Sequence, residues 1–173
     1  LAMQNIETFE GMGVKKIITQ CPHCFNVLKN EYPQLGGNYE VVHHSQFLDE
    51  LVRDGRLSLT GASLEERVTY HDSCSGLREL GVREQPRKLL KSVDGLKLIE
   101  LKDADVCCGF GGTFCVKYAD ISNAIVEKKA HHVVETGAPV LPAGDLGCLL
   151  NIADQLTRQG HKIEVRHVAA ILA

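Results

Sequence analysis

Apolar and polar positions alternate along this chain in two different periods. Residues 3–12 carry Met3, Ile6 and Phe9 on one helical face, and Gly13 closes that helix. Residues 15–19 read as a short buried strand. The CPHC of residues 21–24 follows, and a helix opens over 25–31 until Pro33 and the Gly36–Gly37 pair stop it. Residues 39–43 read as strand and 46–53 as helix, with Ser45 as the expected N-cap. Residues 54–66 form a connector. A strand over 67–71 then leads into Cys74, followed by a helix over 86–92 and a strand over 96–101. The glycines of CCGFGGTFC mark 107–115 as loop. A long helix over 121–135 ends at Gly137, and a strand, a helix at about 148–158 and a strand–helix pair over 163–172 complete the chain. Strands alternating with helices predict an α/β fold with a largely parallel sheet.

The pattern repeats. Shifted by 124 residues, 13–49 lies on 137–173 without gaps, and Gly13, Cys24, Gly36, Glu40, Val41, His43 and Leu48 fall on identical residues. Cys21 falls on Asp145, so CxxC in one copy is DxxC in the other. Cys74 and the Cys107–Cys108 pair precede Cys148 in the second copy. Their counterparts in the first would lie upstream of Leu1. The expectation is two Rossmann-like αβ units, with 1–60 the end of a first repeat and 67–173 a complete second one. The chain would then be a fragment or a truncated paralogue. The alternative is a complete protein whose two units merely resemble each other.

Composition narrows the chemistry. With 173 residues the chain can bury a core without disulfide staples. Its net charge of −3, 5% aromatics and lack of tryptophan argue against a nucleic-acid surface. No apolar run approaches the roughly 18 residues of a transmembrane segment. The seven cysteines are an odd number, and at about 4% of the chain they are too sparse for a disulfide scaffold. Without a secretory signal, a cytoplasmic thiol set that binds metal or does redox chemistry is the better expectation.

Cys74, Cys107, Cys108 and Cys148 each sit where a predicted strand ends or a loop begins, and such loops converge at the carboxyl ends of parallel strands. Thiolates suit iron–sulfur clusters, zinc or copper(I). Adjacent cysteines do not easily chelate one small tetrahedral ion but can bind different irons, which favours a cluster, with zinc as the rival. Gly109, Gly111 and Gly112 allow backbone N–H groups close to sulfur. For CPHC the rival to metal ligation is a thioredoxin-like redox pair. His71 either serves the cysteines, as sulfur hydrogen-bond donor or proton shuttle, or is a hydrogen-bonded strand-end histidine. His43 and His167 repeat in register and read as structural. The Lys and Arg residues of 83–91 read as an exposed helix face.

HDSC (71–74), CCGFGGTF (107–114) and GDLGCLLN (144–151) resemble the cysteine-rich CCG domain found in heterodisulfide reductase, in the glycolate oxidase iron–sulfur subunit and in the lactate-utilisation proteins. LRELGVREQPRKLL followed by CCGFGGTFCVKYADIS is most similar to the lactate-utilisation branch. The resemblance implies Cys74, Cys107, Cys108 and Cys148 as iron–sulfur ligands. The chain departs from the family motif at Asp145, where a fifth cysteine is expected. That implies an ordinary [4Fe-4S] cluster, with Asp145 or Cys115 nearby, rather than the unusual five-cysteine type. Cys21 and Cys24 would belong to a second, incomplete metal site that is empty, weakly zinc-binding or disulfide-bonded. The implied function is an electron-transfer subunit of a complex oxidising lactate or a similar 2-hydroxy acid. Its partners would be iron–sulfur or flavin subunits, holding it at most peripherally to the inner membrane. The alternatives are a thiol–disulfide reductase and a zinc-binding structural module.

Overall fold

A computed structural model describes residues 1–59, 61 and 63–173. The connector expected over 54–66 is thus described except at Thr60 and Ala62. The chain runs α1 (Ala2–Gly11), β1 (Lys16–Thr19), α2 (Pro22–Asn26), β2 (Glu40–His43), α3 (His44–Arg53), β3 (Arg67–Val68), α4 (Cys74–Arg78) and α5 (Glu84–Lys91). It continues through β4 (Lys97–Leu98), α6 (Phe114–Lys117), α7 (Ala119–Glu135), β5 (Val140–Ala143), α8 (Leu146–Arg158), β6 (Glu164–His167) and α9 (Val168–Leu172). A π turn over Val27–Glu31 and a 3-10 turn over Tyr32–Leu35 link α2 towards β2. Every strand pairing is parallel. β1 and β2 form one sheet, and the other has the order β4-β3-β5-β6. The fold is mixed α/β.

The 124-residue offset is visible in the backbone. Lys16 pairs with Glu40 and Thr19 with His43; Val140 pairs with Glu164 and Ala143 with His167, the same register moved by one repeat. Gly13 and Gly137 have φ of 68° and 62°, the left-handed turn that glycine reaches without steric cost before each strand. Cys21 caps α2 by accepting from Cys24 N, and Asp145 caps α8 by accepting from Cys148 N. His43 and His167 cap α3 and α9 through Nδ1. Ser45 is therefore not the cap. It lies fully buried inside α3, hydrogen-bonded to His43 Nδ1 at 2.8 Å, while Gln46 Oε1 accepts from His43 N.

The core forms where α7 and α8 cover β5. Val126, Ala130 and Val133 recur at four- and three-residue spacing on α7, and Cys148, Ile152 and Leu156 recur every four residues on α8; all are buried around Leu141. Cys108 belongs to this cluster as well, so two thiols are anchored in the core. A second cluster joins Val68, Leu90, Val140 and Val168 on the opposite face. The strand expected over 67–71 pairs regularly only at β3, yet Thr69 N and His71 N still donate to Val140 and Pro142 carbonyls. His71 bridges to Ala143. That pairing carries the HDSC segment to the carboxyl end of the sheet, beside Asp145.

Candidate metal centre

Three chain segments meet at that end. After His71, Ser73 Oγ caps α4 by accepting from Gly76 N, which makes Cys74 the first residue of a helix that the sequence pattern does not predict. Cys107 and Cys108 lie in the turn before α6, and Cys148 lies in the first turn of α8. Cys74 Sγ is 3.8 Å from Cys107 Sγ, and Cys108 Sγ is 3.0 Å from Cys148 Sγ. A ring nitrogen of His71 and the sulfurs of Cys108 and Cys148 all lie within 4.8 Å of one another. Four cysteines from three separate segments are thus gathered in two touching pairs, with an imidazole against one of them.

The turn that presents the adjacent cysteines is held from several sides. Gly109 N donates to Cys107 Sγ at 3.3 Å, Ser122 Oγ donates to the Gly109 carbonyl at 2.8 Å, and Asn151 Nδ2 donates to the Cys108 carbonyl at 2.8 Å. Gly109 has φ +83°, and a Cβ there would lie 2.7 Å from the Ser122 carbonyl oxygen. Gly109→Ala is therefore expected to cost at least about 1 kcal/mol and to reduce metal loading, measured by urea unfolding and metal analysis.

The thiols do not titrate alike. Hydrogen bonds from Cys108 and Cys74, with help from Gly109 N–H, hold the Cys107 thiol far below its ordinary range. The Cys74 thiol is pushed up by its bond to Cys107 and by burial, and Cys108 by its bonds to Cys107 and Cys148 and by burial. Of these three thiols, Cys107 gives up its proton most readily. Metal binding must expel the protons of its neighbours and weakens as pH falls. Burial, reinforced by the charge of Lys129, lowers His71 to about 3, so its ring is neutral. It is fully buried, and neither ring nitrogen has a hydrogen-bond partner among the described residues. That differs from a hydrogen-bonded strand-end histidine. A soft, buried donor set with an unpaired imidazole fits a thiolate-bound metal group.

The remaining expected site residues are placed differently. Asp145 Oδ1 accepts from Cys148 N at 2.9 Å, so its carboxylate caps the helix that carries a cysteine. Asp145→Asn, an equally good cap, is expected to leave metal content near wild type. Asp145→Ala should cost about 1 kcal/mol in unfolding free energy. Cys115 Sγ bonds to the Gly112 carbonyl at 3.0 Å. Cys21 is half-buried and Cys24 exposed, and Cys21 Sγ accepts from Cys24 N. Among the described residues, that pair joins no group of three close His, Cys or carboxylate ligands.

Two charged residues were not anticipated here. Arg87, expected on an exposed face, is 4% exposed. Its guanidinium grips both Asp72 oxygens at 2.9 and 2.7 Å and reaches Glu100 at 3.0 Å. Those two carboxylates, Asp72 foremost, raise Arg87 further. Asp72 lies between His71 and Cys74, so this bidentate pair fixes the segment that delivers both. Lys129 is fully buried on the inner face of α7.

A model of the CCG family, the cysteine-rich domain, matches residues 1–29 and 68–153. The chain is 49% identical over 127 residues to a lactate utilization protein A of Lysinibacillus sphaericus (strain C3-41), covering 73% of this chain and 56% of that protein. It is 40% identical over 182 residues to a lactate utilization protein A of Geobacillus sp. (strain WCH70), covering 96% and 73%. Over 114 residues it is 48% identical to an EtfAB:quinone oxidoreductase of Syntrophomonas wolfei, covering 65% of this chain and 16% of that protein. The chain thus spans little more than half the length of the first of these relatives.

Proposed function

This chain belongs to the CCG cysteine-rich domain family, and from that premise we propose that it is an iron–sulfur electron-transfer subunit of a multi-component oxidoreductase. The observation that carries this reading is the convergence of Cys74, Cys107, Cys108 and Cys148 at the carboxyl end of one parallel sheet, two of them adjacent in sequence. The names of the relatives, lactate utilization protein A and EtfAB:quinone oxidoreductase, support lactate or a similar 2-hydroxy acid as what that complex oxidises, and we place the complex in the cytoplasm. Residues 67–173 form the repeat that holds the cluster. Residues 1–60 are the end of a preceding repeat, whose Cys21 and Cys24 belong to a second centre. Among the described residues no helix is long and apolar enough to cross a membrane.

Cys74, Cys107, Cys108 and Cys148 would hold a [4Fe-4S] cluster, which when bound supplies a one-electron carrier. The chain supplies the rest. Gly109 N–H already points at a ligand sulfur, the α7–α8 core excludes water from Cys108 and Cys148, and His71 offers a neutral nitrogen to the same space. Isolated anaerobic protein should accept and return one electron between dithionite and a one-electron oxidant, yet leave lactate unchanged without partners. Turnover of a disulfide by the isolated chain would instead support a heterodisulfide-type reductase.

One observation favours a second reading. Two thiolates on a single tetrahedral zinc with bonds of about 2.3 Å lie about 3.8 Å apart. Cys74 and Cys107 have that separation. A zinc-binding structural module would use it, and zinc analysis separates the two readings.

A further inference from the structure

His71 is a fully buried imidazole with no hydrogen-bond partner at either ring nitrogen among the described residues. Burying both nitrogens unpaired is costly, and such an orphan in a folded core points to a bound water or ion. Other buried histidines also keep an unpaired nitrogen, but they are placed otherwise. His43 and His167 use Nδ1 to cap α3 and α9, His44 packs its ring against both of theirs, with centroids 4.3 and 4.9 Å away, and His132 Nε2 lies 3.9 Å from Asp103. One ring nitrogen of His71 instead lies within 4.8 Å of the sulfurs of Cys108 and Cys148. Among the described residues this is the one group of three His, Cys or carboxylate ligands so close together. The ring makes no hydrogen bond to either sulfur. Its backbone is fixed on both sides. His71 N donates to the Pro142 carbonyl at 3.0 Å, and Arg87 holds the next residue, Asp72, through bonds of 2.9 and 2.7 Å. A side chain delivered so rigidly suits a metal ligand. Asp145 is not a member of the group, and its Oδ1 accepts from Cys148 N.

Resting on the iron–sulfur reading above, we propose that His71 is a fifth protein ligand of the centre on Cys74, Cys107, Cys108 and Cys148, binding iron through one ring nitrogen beside Cys108 and Cys148. A neutral imidazole has one lone-pair nitrogen, which is the donor, and one N–H. Imidazole suits iron and ligates it in clusters that also carry thiolates. Five donors on four irons leave one iron with two of them, so the centre is not a cube with one protein ligand at each corner. An imidazole adds a donor without adding negative charge. Reduction places one more electron on an anionic, thiolate-bound cluster, so a neutral ligand favours the reduced state more than a thiolate would.

The test is electron–nuclear double resonance of the anaerobic holoprotein, reduced with dithionite, with histidine nitrogen either natural or labelled with nitrogen-15. Iron, acid-labile sulfide and zinc are measured on the same samples. A nitrogen bonded to iron gives a strong coupling that changes with the histidine label, whereas a nitrogen that only hydrogen-bonds to sulfur couples weakly. The wild-type protein should show the strong, label-sensitive coupling, and His71→Cys should lose it while keeping its iron. With a thiolate in place of the imidazole, His71→Cys should also lower the equilibrium constant for reduction at least tenfold, or about 59 mV for one electron. If His71→Cys does not fold or load, the wild-type labelling decides alone, because no other histidine of the described residues joins the cysteine group. A loaded wild-type cluster with weak histidine coupling, or none, overturns the proposal and leaves the cluster reading intact. Strong coupling that persists in His71→Cys overturns it too. Zinc without sulfide in the wild-type protein overturns the cluster reading and the proposal together.

Discussion

Replacing Cys108 with serine is expected to empty the centre while leaving a folded protein. Cys108 is 2% exposed, its sulfur lies 3.0 Å from Cys148, and it neighbours Cys107, whose thiol is held below its ordinary range. It is thus the thiol that joins the Cys74–Cys107 pair to Cys148 and His71. Serine keeps the shape but is a poor ligand for iron, and its buried hydroxyl costs about 1–3 kcal/mol. Iron should fall from about four per chain to below about one. Cys115→Ser is the matched control, because that thiol donates to the Gly112 carbonyl, and it should retain full iron. Iron analysis beside circular dichroism of both variants checks the expectation. Equal iron in the two would remove Cys108 from the centre.

The second large effect is on stability. Arg87→Met strands the Asp72 carboxylate, whose side chain is 1% exposed, without its bidentate partner. Removing one member of a buried ion pair typically costs about 3–5 kcal/mol, most of it the penalty of the orphaned charge. Urea unfolding should show that loss as a lower midpoint at nearly unchanged slope. Asp72→Leu combined with Arg87→Met should recover much of it, because then no charge is left buried. The Glu100 side of the network is different, since its side chain is 56% exposed and solvent screens it. Arg87 holds the Glu100 carboxyl below its ordinary range. That contribution is present at neutral pH and fades as pH falls through the folded value.

The reasons for these two effects were unevenly legible in the sequence. The strand–helix alternation and the 124-residue repeat are carried by apolar spacing and by glycines in left-handed turns, both of which are local. The alternation reads directly, and the offset recurs in the strand register that the fold shows. The four cysteines were also legible, because a parallel sheet brings its loop ends together whatever lies between. Charged residues turned inward were not. Arg87 shares a helical face with Leu90, and Lys129 lies on the stripe of Val126 and Val133. Spacing alone places both inside, whereas the charge of Arg87 led to its reading as exposed. Their partners, the Asp72 carboxylate for Arg87 and the Asp103 and Ala104 carbonyls for Lys129, lie well away in sequence. The cap of α3 was misplaced for a related reason. Serine is the usual cap, and only the fold shows His43 taking that role while Ser45 is buried behind it. The unpaired nitrogens of His71 depend on what surrounds them in three dimensions, which a strand-end position does not specify.

The central claim is that the cysteine group holds an iron–sulfur cluster. The most direct measurement is iron, acid-labile sulfide and zinc on one anaerobically purified sample, repeated after cluster reconstitution. About four irons and four sulfides per chain, lost together in Cys108→Ser, are the predicted result. Stoichiometric zinc with no sulfide in both preparations would contradict the account and leave a zinc-bound structural module.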